Sequence, residues 1–307
     1  MQRPIVLKFG GSSVGSPERF RKVVQVIRAK RAEQHAVIVI ASALSGVTNK
    51  LVELCDDQLS RQQRASMMEW LVSRHLLHAA DVLSLRSLRR FEAFLQRFLA
   101  ESEALIFHPN CGPDGSRKDL LLAIGERLSI FMVSLALEDA GLESCAVDAS
   151  HLIKTDASFG DAVVNFAATS HRVKTWYQSM APNQVPVVTG FIGSTTDCCT
   201  TTLGRGGSDY SASLIAAAVN ALRLERWTDV DGVYDNDPRL DDQAVRFEEI
   251  VLEDAVGWNR AGKLGMHRKA LDPLVRAKIP VFVRSIDQPD WPGTVIRPKC
   301  HKLAATG

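Results

Sequence analysis

IVLKFGGSSVGSPERF, residues 5–20, is the stretch on which the fold reading turns. An apolar run ends in Lys8 and Phe9. Gly10, Gly11, Ser12, Ser13 and Gly15 follow, and Ser16-Pro17 then opens a helix, with Ser16 as N-cap and Pro17 at the first helical position. The order is strand, small-residue loop, helix start. It is not a Walker A loop, because Ser16 and Pro17 stand where Lys and Ser/Thr would be required, and it is not G-x-G-x-x-G. Paired glycines still let backbone N–H groups approach an anion closely, and a helix N-terminus favours negative charge. Lys8 sits at the carboxyl end of its strand, where open α/β sheets place ligands. On this stretch alone, a tight turn and a phosphate cradle both remain open.

Outward from it, apolar runs alternate with helical patterns. Residues 37–41 (VIVIA) are continuous rather than alternating, as a strand buried on both faces requires. Further strands are expected at 145–148, 186–190, 225–228 and 279–284, with helices from Ser208 to about Asn220 and over 252–262. A helix starts near Lys50, and 50–137 reads as a mostly helical lobe interrupted by the turn-rich segment 108–119. The pattern predicts an α/β fold with a largely parallel central sheet, as one domain over residues 1–307 without internal repeats.

Composition narrows the function classes. The chain has 307 residues, 46% hydrophobic and 23% charged, and 37 basic against 35 acidic residues leave a formal charge of +2. No basic stripe points to nucleic acid, so an anionic ligand has to be held by local geometry. The six cysteines form no C-x-x-C, which fits a reducing, cytoplasmic compartment. No signal-peptide layout occurs, and the apolar runs fall short of the roughly 18 residues of a membrane span, so no membrane partner is expected. Neither G-x-S-x-G nor H-E-x-x-H is present, which counts against the common hydrolase and zincin schemes.

TTLGRGGSDYSASLIAAA (201–218) repeats the loop-to-helix design. Ser208 or Asp209 could be a plain N-cap, whereas Arg205 between two glycines suits a carboxylate or phosphate. RWTDVDGVYDNDPR (226–239) carries Asp229, Asp231, Asp235 and Asp237 but lacks EF-hand spacing, which leaves a surface turn or a nucleotide loop. His75 and His78, three apart on a helix with no third ligand nearby, read as a solvated helix face. Cys198-Cys199 reads as a pair of ordinary thiols, and Trp70, Trp176, Trp258 and Trp291 read as packing.

In order along the chain, KFGGSSV, SALSGVTN (42–49), GERLS (125–129), TTLGRGGSDYSA and WTDVDGVYDNDPR resemble the aspartate kinases of the amino-acid kinase superfamily. The matched order runs from residue 5 to about 297. The resemblance implies a three-layer α/β/α sandwich with its nucleotide-binding half at about 200–297. It implies ATP and Mg²⁺ as cofactors and transfer of the γ-phosphoryl group to the β-carboxylate of L-aspartate, the first step towards lysine, threonine and methionine. It assigns Lys8 and Asp209 to catalysis and Ser42, Thr48, Glu126, Arg205 and Ser208 to aspartate. Glu126 would take the α-ammonium and Arg205 a carboxylate. Gly10, Gly11, Ser12, Ser13, Thr228, Asp229, Tyr234, Arg239 and Lys263 fall to the nucleotide, with no protein metal ligand.

A homodimer is implied, or a place in a larger or bifunctional polypeptide. Two departures stand out. NRAGKLGMHRKALDP (259–273) differs from the family's nucleotide-side segment, and the chain ends at Gly307, where the family commonly continues into ACT domains; these are expected to be absent. A kinase for another small amino acid or carboxylate and a non-catalytic amino-acid or nucleotide-binding module are the alternatives. Thr48, Glu126 and Arg205 speak against the first, and the retained set Lys8, Arg205 and Asp209 against the second.

Overall fold

The structure, a computed structural model, describes residues 2–107, 115–236, 241, 243–262, 264–267 and 269–299. β1 (Ile5–Phe9) is buried along its whole length and leads through Gly10 into the single-turn helix α1 (Gly11–Val14). α2 (Pro17–Ala32) follows, capped by Ser16, whose hydroxyl accepts from Arg19 N. Next come β2 (Val37–Ala41), also fully buried, and four helices: α3 (Val47–Leu54), α4 (Arg61–Val82), α5 (Leu85–Phe107) and α6 (Ser116–Asp139). The chain continues with β3 (Ser144–Val147), α7 (Phe166–Ser179), β4 (Val185–Thr189), β5 (Ile192–Ser194), β6 (Thr200–Thr202), α8 (Gly207–Ala218), β7 (Arg223–Thr228), β8 (Val233–Tyr234), β9 (Arg246–Phe247) and β10 (Glu249–Val251). It closes with α9 (Leu252–Arg260), α10 (Asp272–Ala277), β11 (Val281–Ser285) and β12 (Thr294–Arg297).

Eight strands form one sheet in the order β10-β12-β11-β7-β1-β2-β4-β3, parallel except for the β11–β12 pair. β1 lies at its centre, with Lys8 opposite Ile40 of β2 and Arg226 of β7. Alternation along the strands assigns their side chains to two cores. Ile5, Leu7 and Phe9 join α2–α6 on one face, and Val6, Ile38 and Ile40 join α7, α8 and α10 on the other. That is the expected three-layer α/β arrangement. By the same alternation Lys8 falls on the face of Val6, towards α8.

The strands expected at 145–148, 186–190, 225–228 and 279–284 lie within two residues of β3, β4, β7 and β11. The ribbons β5–β6 and β8–β9 were not legible as separate short sheets. The helical lobe is α3–α6. α6 is, among the described residues, the one helix long and apolar enough to cross a bilayer, but 83% of its apolar window is buried inside the protein. His75 and His78 correct the solvated-face reading: both are buried, at 0% and 2% exposure. His75 Nδ1 bonds Leu71 O at 2.7 Å, and His78 sets its edge on the Phe20 ring of α2. Burial pushes both imidazoles down to about 4.

Candidate active site

The carboxyl ends of β1, β2 and β7 lie side by side, with Phe9 opposite both Ala41 and Trp227. A cavity of about 650 Å³ opens there. Lys8, Gly10 and Gly11 line it from the end of β1 and the turn into α1, Ser42 and Thr48 from the β2–α3 segment, Glu126 from α6, Arg205 from the loop before α8 and Ser208 from the first turn of α8. Segments far apart in sequence thus line one cavity. Asn49 and Thr202, inside the quoted motifs but not singled out, and Phe191 and the exposed Lys118, outside them, line it as well.

Lys8 is 8% exposed and Asp209 4%. Lys8 Nζ forms an ion pair with Asp209 Oδ1 at 2.6 Å, and Arg226 Nε lies 3.4 Å from the same oxygen. Burial lowers the Lys8 ammonium, Asp209 opposes this and Arg226 adds to it. Burial alone would raise the Asp209 carboxyl, but Lys8 and Arg226 outweigh it and hold the group below the usual range. Asp209 reaches this position from the first turn of α8, whose N-cap Gly206 has φ +78. That left-handed conformation suits glycine. A Cβ there would also press to 3.3 Å on His267 N.

Glu126, from α6, lines the same cavity. Its Oε1 accepts from Ala43 N at 3.4 Å, and its Oε2 is buried without a hydrogen-bond partner. Burial pushes the carboxyl up to about 7, against the pull of the Ala43 N–H and of Arg127. Gly125 makes the placement possible, since a Cβ there would come within 2.8 Å of Ala43 Cβ and Val47 Cγ1. α6 therefore packs directly on the segment that supplies Ser42 and Thr48. A buried carboxylate oxygen with no donor is costly unless a ligand supplies one.

Asp119 escaped the sequence reading. It is fully buried and accepts from Thr202 N at 2.7 Å, Thr202 Oγ1 at 2.9 Å and Gly160 N at 3.0 Å, which anchors the start of α6 to β6 and to the 160 turn. Its only sequence signal is an acid in a helix first turn. Arg127, beside Glu126, pairs with Asp148 at 2.6 Å.

The remaining predicted residues separate from the cavity wall. Ser13 is fully buried, and its hydroxyl donates to Trp227 O at 3.2 Å, so its proton ties α1 to β7 instead of facing the cavity. Ser12 lies beside it, half-buried, with its carbonyl accepting from Arg19. Thr228 ends β7, and its hydroxyl donates to Asp229 Oδ1 at 3.0 Å. Tyr234 on β8 donates to Asp231 Oδ1 at 2.8 Å. Thr228 and Asp229 thus stand at the carboxyl end of β7, and Tyr234 lies on the β8–β9 ribbon. Arg239 and Lys263 lie outside the described residues.

The fold and cavity define an open-sheet α/β protein whose ligand cleft lies beyond the carboxyl ends of its parallel strands. The sequence model of the amino acid kinase family matches residues 3–285. The chain belongs to the amino acid kinase family.

The aspartokinase of Rickettsia prowazekii is 31% identical over 296 residues, which are 96% of this chain and 55% of that protein. The chloroplastic bifunctional aspartokinase/homoserine dehydrogenase 2 of Arabidopsis thaliana is 32% identical over 95% of this chain and 32% of its own length. Among solved structures, aspartokinase III of Escherichia coli in complex with aspartate and ADP matches with a TM-score of 0.89 at 29% identity, over 97% of this chain and 65% of that one. The chain thus spans between 32% and 65% of the length of these proteins.

Proposed function

We propose that this chain transfers the γ-phosphoryl group of ATP to the β-carboxylate of L-aspartate, giving 4-phospho-L-aspartate for synthesis of lysine, threonine and methionine. The observation that carries the reading is the buried, unpartnered Oε2 of Glu126, which faces the same cavity as Lys8 and Arg205. An ammonium on one side and anions on the other are what an α-amino dicarboxylate and a phosphate chain present together. The likeness to an aspartokinase solved with aspartate and ADP supports the same assignment.

The acceptor carboxylate is already ionised at neutral pH, so no general base is needed. Rate then comes from positioning and from neutralising the transferring phosphoryl group. Glu126 takes the α-ammonium, Arg205 a carboxylate, and Ser42, Thr48 and Ser208 supply hydroxyls around the substrate. Lys8 and the N–H groups of Gly10 and Gly11 meet the phosphates, and Asp209 fixes Lys8. Thr228, Asp229 and Tyr234, with Arg239 and Lys263, serve the nucleotide.

The described residues contain no group of three or more His, Cys, Asp or Glu able to hold a metal. Mg²⁺ would arrive on the ATP phosphates, its usual mode of binding, and would supply charge neutralisation there. A homodimer in the cytoplasm belongs to the same proposal. So does a place in a longer polypeptide, which the bifunctional relative supports.

The test is ATP with a panel of small carboxylates and amino acids under hydroxylamine trapping. Aspartyl hydroxamate is expected, and borohydride reduction of the untrapped product should yield homoserine, which identifies the β-carboxylate. Product with another acceptor and none with aspartate overturns the reading.

A further inference from the structure

Lys8 and Asp209 alone would make a neutral buried pair, a poor stabiliser of a gathering negative charge. Arg226 changes the sum. It stands beside Lys8 in the β1–β7 register, on the same face of the sheet, and lies 3.4 Å from the Asp209 oxygen that Lys8 also contacts. Two cations share one carboxylate, so the cluster keeps a net charge of +1. All three side chains are largely buried, with exposures of 10%, 5% and 14%. The low dielectric strengthens what that charge does at short range. Arg226 also reaches past the cluster, and its Nη2 donates to Gly265 O at 3.0 Å, in the segment that departs from the family pattern.

We propose that Arg226 is a positioning residue for phosphoryl transfer: by sharing Asp209 it leaves Lys8 with an uncompensated positive charge at the cavity wall. Its second contact, to Gly265, fixes the 264–267 segment to the same cluster. Arg226 itself does not line the cavity and acts through Lys8. The inference rests on the kinase reading for its consequence in turnover, but not for its consequence in anion binding, because a net charge at Lys8 attracts ATP phosphates whatever the acceptor.

The experiment measures ATP binding by calorimetry, and separately kcat and KM for aspartate, in the full chain and in Arg226→Met and Arg226→Lys. Arg226→Met keeps the aliphatic packing and the Lys8–Asp209 pair. It should weaken ATP binding about tenfold, the scale of one partly screened charge a few ångströms away. It should also lower kcat by about tenfold or more while KM for aspartate stays within twofold, since Glu126, Thr48 and Arg205 are untouched. Arg226→Lys restores the charge without the fork to Gly265 and should recover most of both losses. ATP binding unchanged in Arg226→Met overturns the inference, and so do equal losses in the two variants, which would mark a tether to Gly265 and not a charge. Aspartate turnover absent from the wild type, with the ATP-binding pattern intact, would refute the kinase reading alone.

Discussion

Lys8 on β1 and Asp209 on α8 meet at 2.6 Å inside the protein, and the carboxylate is the one anion between two cations. Asp209→Asn would leave Lys8 and Arg226 buried side by side with no counter-charge. Removing one partner of a buried ionic group costs about 3–5 kcal/mol. Chemical denaturation of Asp209→Asn at neutral pH should show a loss of that order. A loss under about 1 kcal/mol would mean that solvent already screens the cluster.

Glu126 carries the clearest conflict between function and stability. Its carboxyl titrates near 4.5 when unfolded and is pushed up to about 7 when folded. The folded state therefore binds more protons between those values, and stability falls as pH rises through that window. The full difference is on the order of 3 kcal/mol, present above about pH 7. Glu126→Gln should melt a few degrees higher than wild type at pH 8 and at the same temperature at pH 4. It should also raise KM for aspartate sharply. In the wild type, KM for aspartate should climb as pH drops below about 7, because the substrate ammonium then has to displace a proton.

His75 and His78 act in the opposite sense. Both are held neutral by burial, with folded values of about 4 against an unfolded value near 6.5. The unfolded chain binds more protons in that interval, so the stability they permit is complete above about pH 6.5 and is lost as pH falls towards 4. His78→Phe keeps an aromatic edge on Phe20 and removes one titration. Its stability relative to wild type should rise between pH 7 and pH 5 in urea melts. An identical acid limb in both proteins would place the acid-sensitive groups elsewhere.

Arg205 is exposed on a glycine loop, and its loss disturbs no core. Arg205→Lys keeps the charge but loses the planar fork that binds a carboxylate through two N–H groups. KM for aspartate should rise about tenfold or more, with the melting temperature within a degree of wild type. An unchanged KM would remove Arg205 from the aspartate site.

Much of this was legible in the residues, for identifiable reasons. β1 and β2 are buried on both faces, so their apolar runs are continuous and their limits readable. β7 begins two residues before its expected start because its pairing with β1 opens at Ile5 and Arg223, and a charged first residue disguises a strand. Lys8 and Arg205 were marked by their chemistry, a cation at a strand end and a guanidinium on a glycine loop, whereas Glu126 and the role of Asp209 came through the ordered motifs. Arg226 opens the quoted stretch 226–239 without being singled out and Asp119 belongs to no motif, and only the β1–β7 register and the α6–β6 contact give them meaning. Ser13 sat in the right loop, but α1 turns its hydroxyl towards Trp227 O, which no local pattern announces. The histidines failed because the one buried face of α4 carries Arg64, His75 and His78 beside Leu71 and Ala79, so its stripe does not read as apolar.

The most direct test of the account follows aspartyl hydroxamate formed from ATP and L-aspartate by wild type and by Lys8→Ala. Removing one preorganised electrostatic stabiliser typically costs about 100- to 1,000-fold in kcat. The wild type should form aspartyl hydroxamate steadily, and Lys8→Ala should lose at least about 100-fold while remaining folded. Turnover by Lys8→Ala within a few-fold of wild type, or no aspartyl hydroxamate from the wild type, would contradict the account.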